Sequence, residues 1–135
     1  MKRISIILLL FASMLALSCH RLVDHAYNTT ITYVNTLDKP IHMELEGGVS
    51  KVSETSFSVR PNSSYTIRIK SGEGPGYPSF DAVFVVIEGF DAIVCRYEYS
   101  GSYPNLCKEE PYVRQSSGYD VKYTYSFRAE DWISD

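Results

Sequence analysis

The chain has 135 residues, enough for one domain around one hydrophobic core. It sets 13 Lys and Arg against 16 Asp and Glu, a net charge of −3. That balance argues against nucleic acid as a partner, because binding there depends on neutralising phosphates with Lys and Arg.

Lys2 and Arg3 open the chain, and an apolar run follows from Ile4 to Leu17, broken only by Ser5 and Ser13. A transmembrane helix needs about 20 predominantly apolar residues, so this run is short for a span. A charged start, a short apolar middle and small residues before the break describe a secretory signal peptide over residues 1–18. Its removal would leave 117 residues with 11 basic and 16 acidic side chains, a net charge of −5.

Cys19 follows directly. Ala16-Leu17-Ser18 satisfies ordinary signal peptidase, which would yield a plain secreted protein. The same residues before Cys19 also resemble a bacterial lipobox, with Ala16 where that pattern prefers Leu and Leu15 one place further back. Exported proteins seldom keep an odd free thiol, and this chain has three cysteines. Lipidation consumes Cys19 and leaves Cys95 and Cys107 as a candidate pair. The expectation is therefore a lipoprotein held on a membrane by its acyl chains, each buried methylene contributing about 0.8 kcal/mol. Residues 19–28 would be the tether and 29–135 the domain. His20 and Arg21, rather than acidic residues, follow the cysteine, which favours the periplasmic face of the envelope over the cell surface.

Beyond the tether the pattern is alternation. Ile31, Tyr33 and Asn35 alternate with Thr30, Thr32 and Val34 up to a turn at Asp38-Lys39-Pro40. Ile41, Met43 and Leu45 alternate with His42, Glu44 and Glu46, a half-buried strand ended by Gly47-Gly48. Phe57 and Val59 lead into Arg60-Pro61-Asn62-Ser63, where proline pre-sets a turn. Tyr65, Ile67 and Ile69 then face one way and Thr66, Arg68 and Lys70 the other. After the Gly/Pro-rich "SGEGPGYPS" comes "AVFVVI" (82–87), apolar at every position, which predicts a central strand covered on both faces. "EGFD" turns the chain into a strand carrying Ile93, Cys95, Tyr97 and Tyr99. A long loop is expected from Ser100 to Gly118. In the last strand Val121, Tyr123, Tyr125 and Phe127 alternate with Lys122, Thr124, Ser126 and Arg128, and "AEDWISD" suits one helical turn.

This predicts an all-β domain: about seven short antiparallel strands in an immunoglobulin-like sandwich of two sheets. The antibody hallmarks are absent, since Trp132 lies beyond the last strand and Cys95 and Cys107 are too close in sequence to bridge sheets in the antibody manner.

The leader ending in Cys19, "SVRPNSSYTIRI", "DAVFVVIEG" and the close "YTYSFRAEDW" together resemble the small lipoproteins abundant in Bacteroidota-type bacteria. The resemblance implies an envelope-anchored β-sandwich and supplies no catalytic residues.

Few residues carry chemistry. In an oxidising envelope Cys95 and Cys107 favour a disulfide, contributing about 3 kcal/mol and pinning the start of the 100–118 loop; the alternative is two thiols. Seven of the eleven tyrosines fall between Tyr97 and Tyr125. Tyr97, Tyr99, Tyr123 and Tyr125 sit at alternating strand positions, which predicts packing. Tyr77, Tyr103, Tyr112 and Tyr119 lie in or beside loops and are the candidate ligand contacts, against the simpler role of packing a loop onto a sheet. His20, His25 and His42 are scattered, and no HExxH, CxxC or GxSxG occurs, so no metal site, no cofactor and no catalytic set is expected. The expected role is a non-enzymatic binding module whose loops meet a protein or glycan partner. A structural subunit pairing through an edge strand is the alternative, and a hydrolase the third, with no catalytic pair assigned because sequence alone does not bring Glu44, Glu88 or Glu98 into a cleft.

Overall fold

The computed structural model describes residues 26–70 and 74–133; Cys19, the leader and most of the tether lie outside the described residues. Among the described residues nine strands follow in order: β1 (Asn28–Asn35), β2 (Ile41–Glu46), β3 (Lys51–Val52), β4 (Ser56–Val59), β5 (Ser63–Lys70), β6 (Ala82–Ile87), β7 (Ile93–Arg96), β8 (Val113–Ser117) and β9 (Asp120–Phe127). One helical turn, α1 (Ala129–Trp132), closes the series. They form two sheets, ordered β3-β5-β1-β9-β8 and β4-β2-β6-β7. The protein is all-β, with two strands more than the alternation foretold: β3 is two residues long, and β8 lies inside the expected loop.

The expected alternation appears directly as burial. Thr29, Ile31, Tyr33 and Asn35 point inward from β1, and Ile41, Met43 and Leu45 from β2. Phe57 and Val59, Ile67 and Ile69, Val83, Val85 and Ile87, and Val121, Tyr123, Tyr125 and Phe127 join them in a core shared by both sheets. The polar Asn35 is buried because it builds the turn to β2: its Nδ2 donates to Lys39 O (2.8 Å) and Val59 O (3.1 Å), and its Oδ1 accepts from Leu37 N (2.9 Å). After β4, Pro61 and Asn62 carry the chain from one sheet to the other, with Asn62 at φ 51°, a left-handed conformation that asparagine tolerates.

Two expectations need correction. The strands are not all antiparallel, because β1 runs parallel to β9 over its whole length, Asn28 opposite Asp120 and Asn35 opposite Phe127. Nor is β6 covered on both faces. Val83, Val85 and Ile87 are buried, but Val86 is 36% exposed, because each sheet packs on the other with one face only. The apolar outer residues of β6 meet neighbours across the strands instead, Phe84 opposite Val94 of β7.

The five-stranded sheet is wider than its partner, and β8 is its outer edge. Arg114 and Ser116 share the inward side with Tyr123 and Val121, their register partners, yet every residue of β8 is exposed. The strand overhangs the core. Gly118 and Tyr119 link it to β9 as a two-residue turn, Gly118 at φ 61° supplying the positive value such a turn requires.

Candidate functional site

The overhang of β8 leaves a hollow, and three other segments close it into a cleft of about 520 Å3. Tyr77 to Ser79 form one wall, Tyr97 another, and Lys108 to Glu110 the floor beside Arg114. Each wall is fixed by its backbone. Ser50 Oγ donates to Tyr77 O and accepts from Ser79 N at 2.9 Å, and Ser50 N donates to Ser79 O at 3.2 Å. Gly76 lies against Ile69, where an added Cβ would come within 2.4 Å of Ile69 Cγ2. Tyr97 N donates to Asp81 O (3.1 Å), and Asn105 Nδ2 bonds Arg96 O (3.0 Å) and Tyr97 O (3.2 Å). Asn105 Oδ1 also accepts from Cys107 N (3.1 Å), so one amide clips the turn after β7 to the loop that follows.

Both rings project from these fixed backbones, Tyr77 44% and Tyr97 48% exposed. Lys108 Nζ lies 5.1 Å from the centre of the Tyr97 ring, a cation–π contact. Glu109 Oε1 accepts from the Tyr123 hydroxyl at 3.0 Å. Burial first, and then this carboxylate, raise the Tyr123 pKa.

The four candidate tyrosines separate. Tyr77 is in the cleft. Tyr119 is exposed but stands at the β8–β9 turn, its ring edge-on to Tyr27 at 5.3 Å. Tyr103 is half-buried and stacks on Trp132 at 5.4 Å. Tyr112 is a core residue, 6% exposed, at the border of the cleft. It donates to Leu106 O (2.8 Å) and accepts from the Tyr33 hydroxyl (2.9 Å). Its ring borders the cleft with little of its surface exposed. Burial pushes both phenols well up from the ordinary value of 10.0. Conversely Tyr97 and Tyr99, expected to pack, are exposed because β7 ends at Arg96 and the chain turns back at once, Arg96 N bonding Tyr99 O at 2.9 Å. Tyr97, Asn105 and Arg114 are the site residues that sequence reasoning missed. The Asn105-Leu106-Cys107 Asx-turn was the one local signal available.

The expected Cys95–Cys107 bridge is not formed. Both are buried free thiols, each turned to a carbonyl: Cys107 Sγ donates to Cys95 O (3.2 Å) and Cys95 Sγ to Pro104 O (3.5 Å). The loop is nevertheless held to β7 through these contacts, and to the segment before β6 through Phe80 N to Cys107 O (3.0 Å). Burial pushes the Cys107 thiol from 9.0 up to about 12 and raises Cys95 as well, so neither is an activated nucleophile.

His42, the histidine within the described residues, bonds Ser58 Oγ (3.1 Å) and lies 3.5 Å from Glu44. Among the described residues no three His, Cys, Asp or Glu side chains converge as metal ligands, and no helix is long and apolar enough to cross a membrane. A second hollow, about 610 Å3, runs beside β7 between Phe90, Val94, Tyr99 and the Tyr103–Trp132 stack. No protein-family model, no curated protein and no solved structure matches the chain.

Proposed function

We propose that this protein is an envelope-anchored, non-enzymatic binding module, lipidated on Cys19, which takes a protein or glycan partner in the Tyr77–Tyr97 cleft. The observation that carries the reading is the pair of exposed rings on hydrogen-bonded backbones, facing a floor with charges of both signs. Fixed aromatic surface beside convergent polar groups is the usual make-up of a recognition site. The described chain enters the domain at Tyr27, where Asn28 N bonds Tyr119 O (2.9 Å), beside the β8–β9 turn and at the end of β9 opposite α1. Two sheets joined by repeated crossings around one core support an immunoglobulin-like architecture in the broad sense.

The test uses the tagged full chain, extracted in detergent from its own envelope fraction. Partner retention should fall at least tenfold when Tyr77 and Tyr97 are both changed to Ala, and unchanged retention would sink the reading. Intact mass of the extracted protein should include acyl chains, and an unmodified amino end would remove the anchor.

A second reading, assembly through an edge strand, is favoured by β8. Ser117 and Asp120 flank a two-residue turn and so exchange both backbone bonds. Counting back by twos, Val113 and Gln115 also bond β9, while the N–H and C=O groups of Arg114 and Ser116 point outward. Two copies of β8 set antiparallel, Arg114 opposite Ser116, would satisfy all of these groups. Ser116→Pro deletes one outward donor and leaves the bonds to β9 intact. Sedimentation should show concentration-dependent association that this variant loses; a strict monomer at high concentration would contradict the edge reading.

A further inference from the structure

We infer that the occupant of the Tyr77–Tyr97 cleft is an uncharged glycan, bound with a sugar ring against the tyrosines. This rests on the reading of the cleft as the binding site, and it goes further by fixing the chemistry of the ligand.

The first observation is charge. Among the described residues two cations, Lys108 and Arg114, and two carboxylates, Glu109 and Glu110, line the hollow, so their formal charges cancel. A site for phosphate, sulfate or a sialylated chain would carry an excess of cations, and a site for a basic peptide an excess of carboxylates. This one favours neither. Part of the charge is also already engaged, Glu109 by the Tyr123 hydroxyl and Lys108 by the Tyr97 ring.

The second observation is what the walls lack. Among the described residues no Leu, Ile, Val or Met lines the cleft, and its Tyr112 and Pro78 are buried. A protein partner binds mainly through apolar or aromatic anchors seated in desolvated pockets, or by adding a strand to a free sheet edge. The described lining of the cleft offers no aliphatic pocket for such an anchor. β8 presents a side chain, Arg114, to the hollow, while its free backbone edge points away from the sheet.

The third observation is what the walls provide. Tyr77 and Tyr97 are amphipathic rings, about half exposed, whose hydroxyls bond no other side chain among the described residues. A pyranose has an apolar C–H face and a rim of hydroxyls that both donate and accept. A tyrosine ring suits the face, while the Arg114 guanidinium and the Glu110 carboxylate suit the rim as donor and acceptor. The volume of about 520 Å3 lies in the range of small-ligand sites.

The experiment uses the full chain in detergent on immobilised oligosaccharides. The uncharged probes are gluco-, manno- and galacto-oligomers and N-acetylglucosamine oligomers; the charged probes are sialylated and sulfated counterparts. Retention on at least one uncharged probe is expected. It should fall at least tenfold in Tyr77→Ala and in Tyr97→Ala, fall in Glu110→Gln, and stay unchanged in Tyr119→Ala, which removes an exposed ring elsewhere. Preference for the sulfated or sialylated probes would overturn the inference, as would retention indifferent to Tyr77 and Tyr97. If no glycan is retained while a protein partner is held in a Tyr77- and Tyr97-dependent way, the glycan fails and the cleft stands. If nothing depends on those two rings, both fail.

Discussion

Tyr97–Tyr99 and Tyr103–Tyr112 are neighbouring stretches, each bounded by two tyrosines, with opposite fates. The first stands in solvent, Tyr99 76% exposed. The second folds inward, Tyr112 onto Tyr33 and Tyr103 onto Trp132. The difference lies in the hydroxyls and in where the strand stops. Tyr112 has a donor and an acceptor waiting in the core, which removes the cost of burying a phenol. Beyond Arg96 the chain turns away from both sheets before the side chains of Tyr97 and Tyr99 reach any such partner. Burial of a tyrosine here follows the availability of a hydrogen-bond partner more closely than strand-like spacing.

The contrast breaks most visibly at Tyr112. Replacing it with Ala should cost about 3–5 kcal/mol, read as a lower urea midpoint, because the cavity opens where several rings meet. A loss under about 1 kcal/mol would mean that the 103–112 stretch is not part of the core.

Alkali should act next. Cys107 is pushed from 9.0 to about 12 and Tyr125 from 10.0 to about 12, both chiefly by burial. Each is neutral when protonated and regains its ordinary value on unfolding, so above pH 9 the unfolded chain releases protons that the folded chain keeps. Stability from these groups is complete below pH 9 and disappears as the pH climbs to about 12. Each contributes a slope of up to about 1.4 kcal/mol per pH unit. Urea midpoints measured from pH 8 to 12 should be level at first and then fall; a midpoint that stays level to pH 12 would place these groups in water.

Tyr112→Phe sharpens the contrast by keeping the ring. Leu106 O loses its donor and the Tyr33 hydroxyl its acceptor, at a cost of about 1–3 kcal/mol. Smallest of all should be Tyr97→Ala, within about 0.5 kcal/mol of the parent in the same denaturation experiment, even though it removes half of the proposed binding surface.

The sequence makes much of the fold legible and little of the site. Wherever one face of a strand meets the core, as in β1, β2, β5 and β9, the inward and outward residues could be read off directly. β8 could not, because a strand that overhangs the core buries neither face and "VRQSS" has no alternation to show. The partnership of β1 with β9 joins residues 92 apart and leaves no local trace. The site was harder still. Tyr77 was visible from its Gly/Pro surroundings, but Tyr97 and Tyr112 exchanged roles because the partner of Tyr112 is Tyr33, 79 residues away. The two cysteines were correctly placed side by side, but that proximity serves carbonyl contacts and not a covalent bond.

Tyrosine nitration of the folded full chain, followed by peptide mapping, bears most directly on the claim that Tyr77 and Tyr97, rather than the tyrosines of 103–112, are free to meet a partner. Tyr77, Tyr97, Tyr99 and Tyr119 should be modified while Tyr33 and Tyr112 stay protected until the protein is unfolded. Modification of Tyr112 as fast as Tyr99, or protection of Tyr77 and Tyr97, would contradict it.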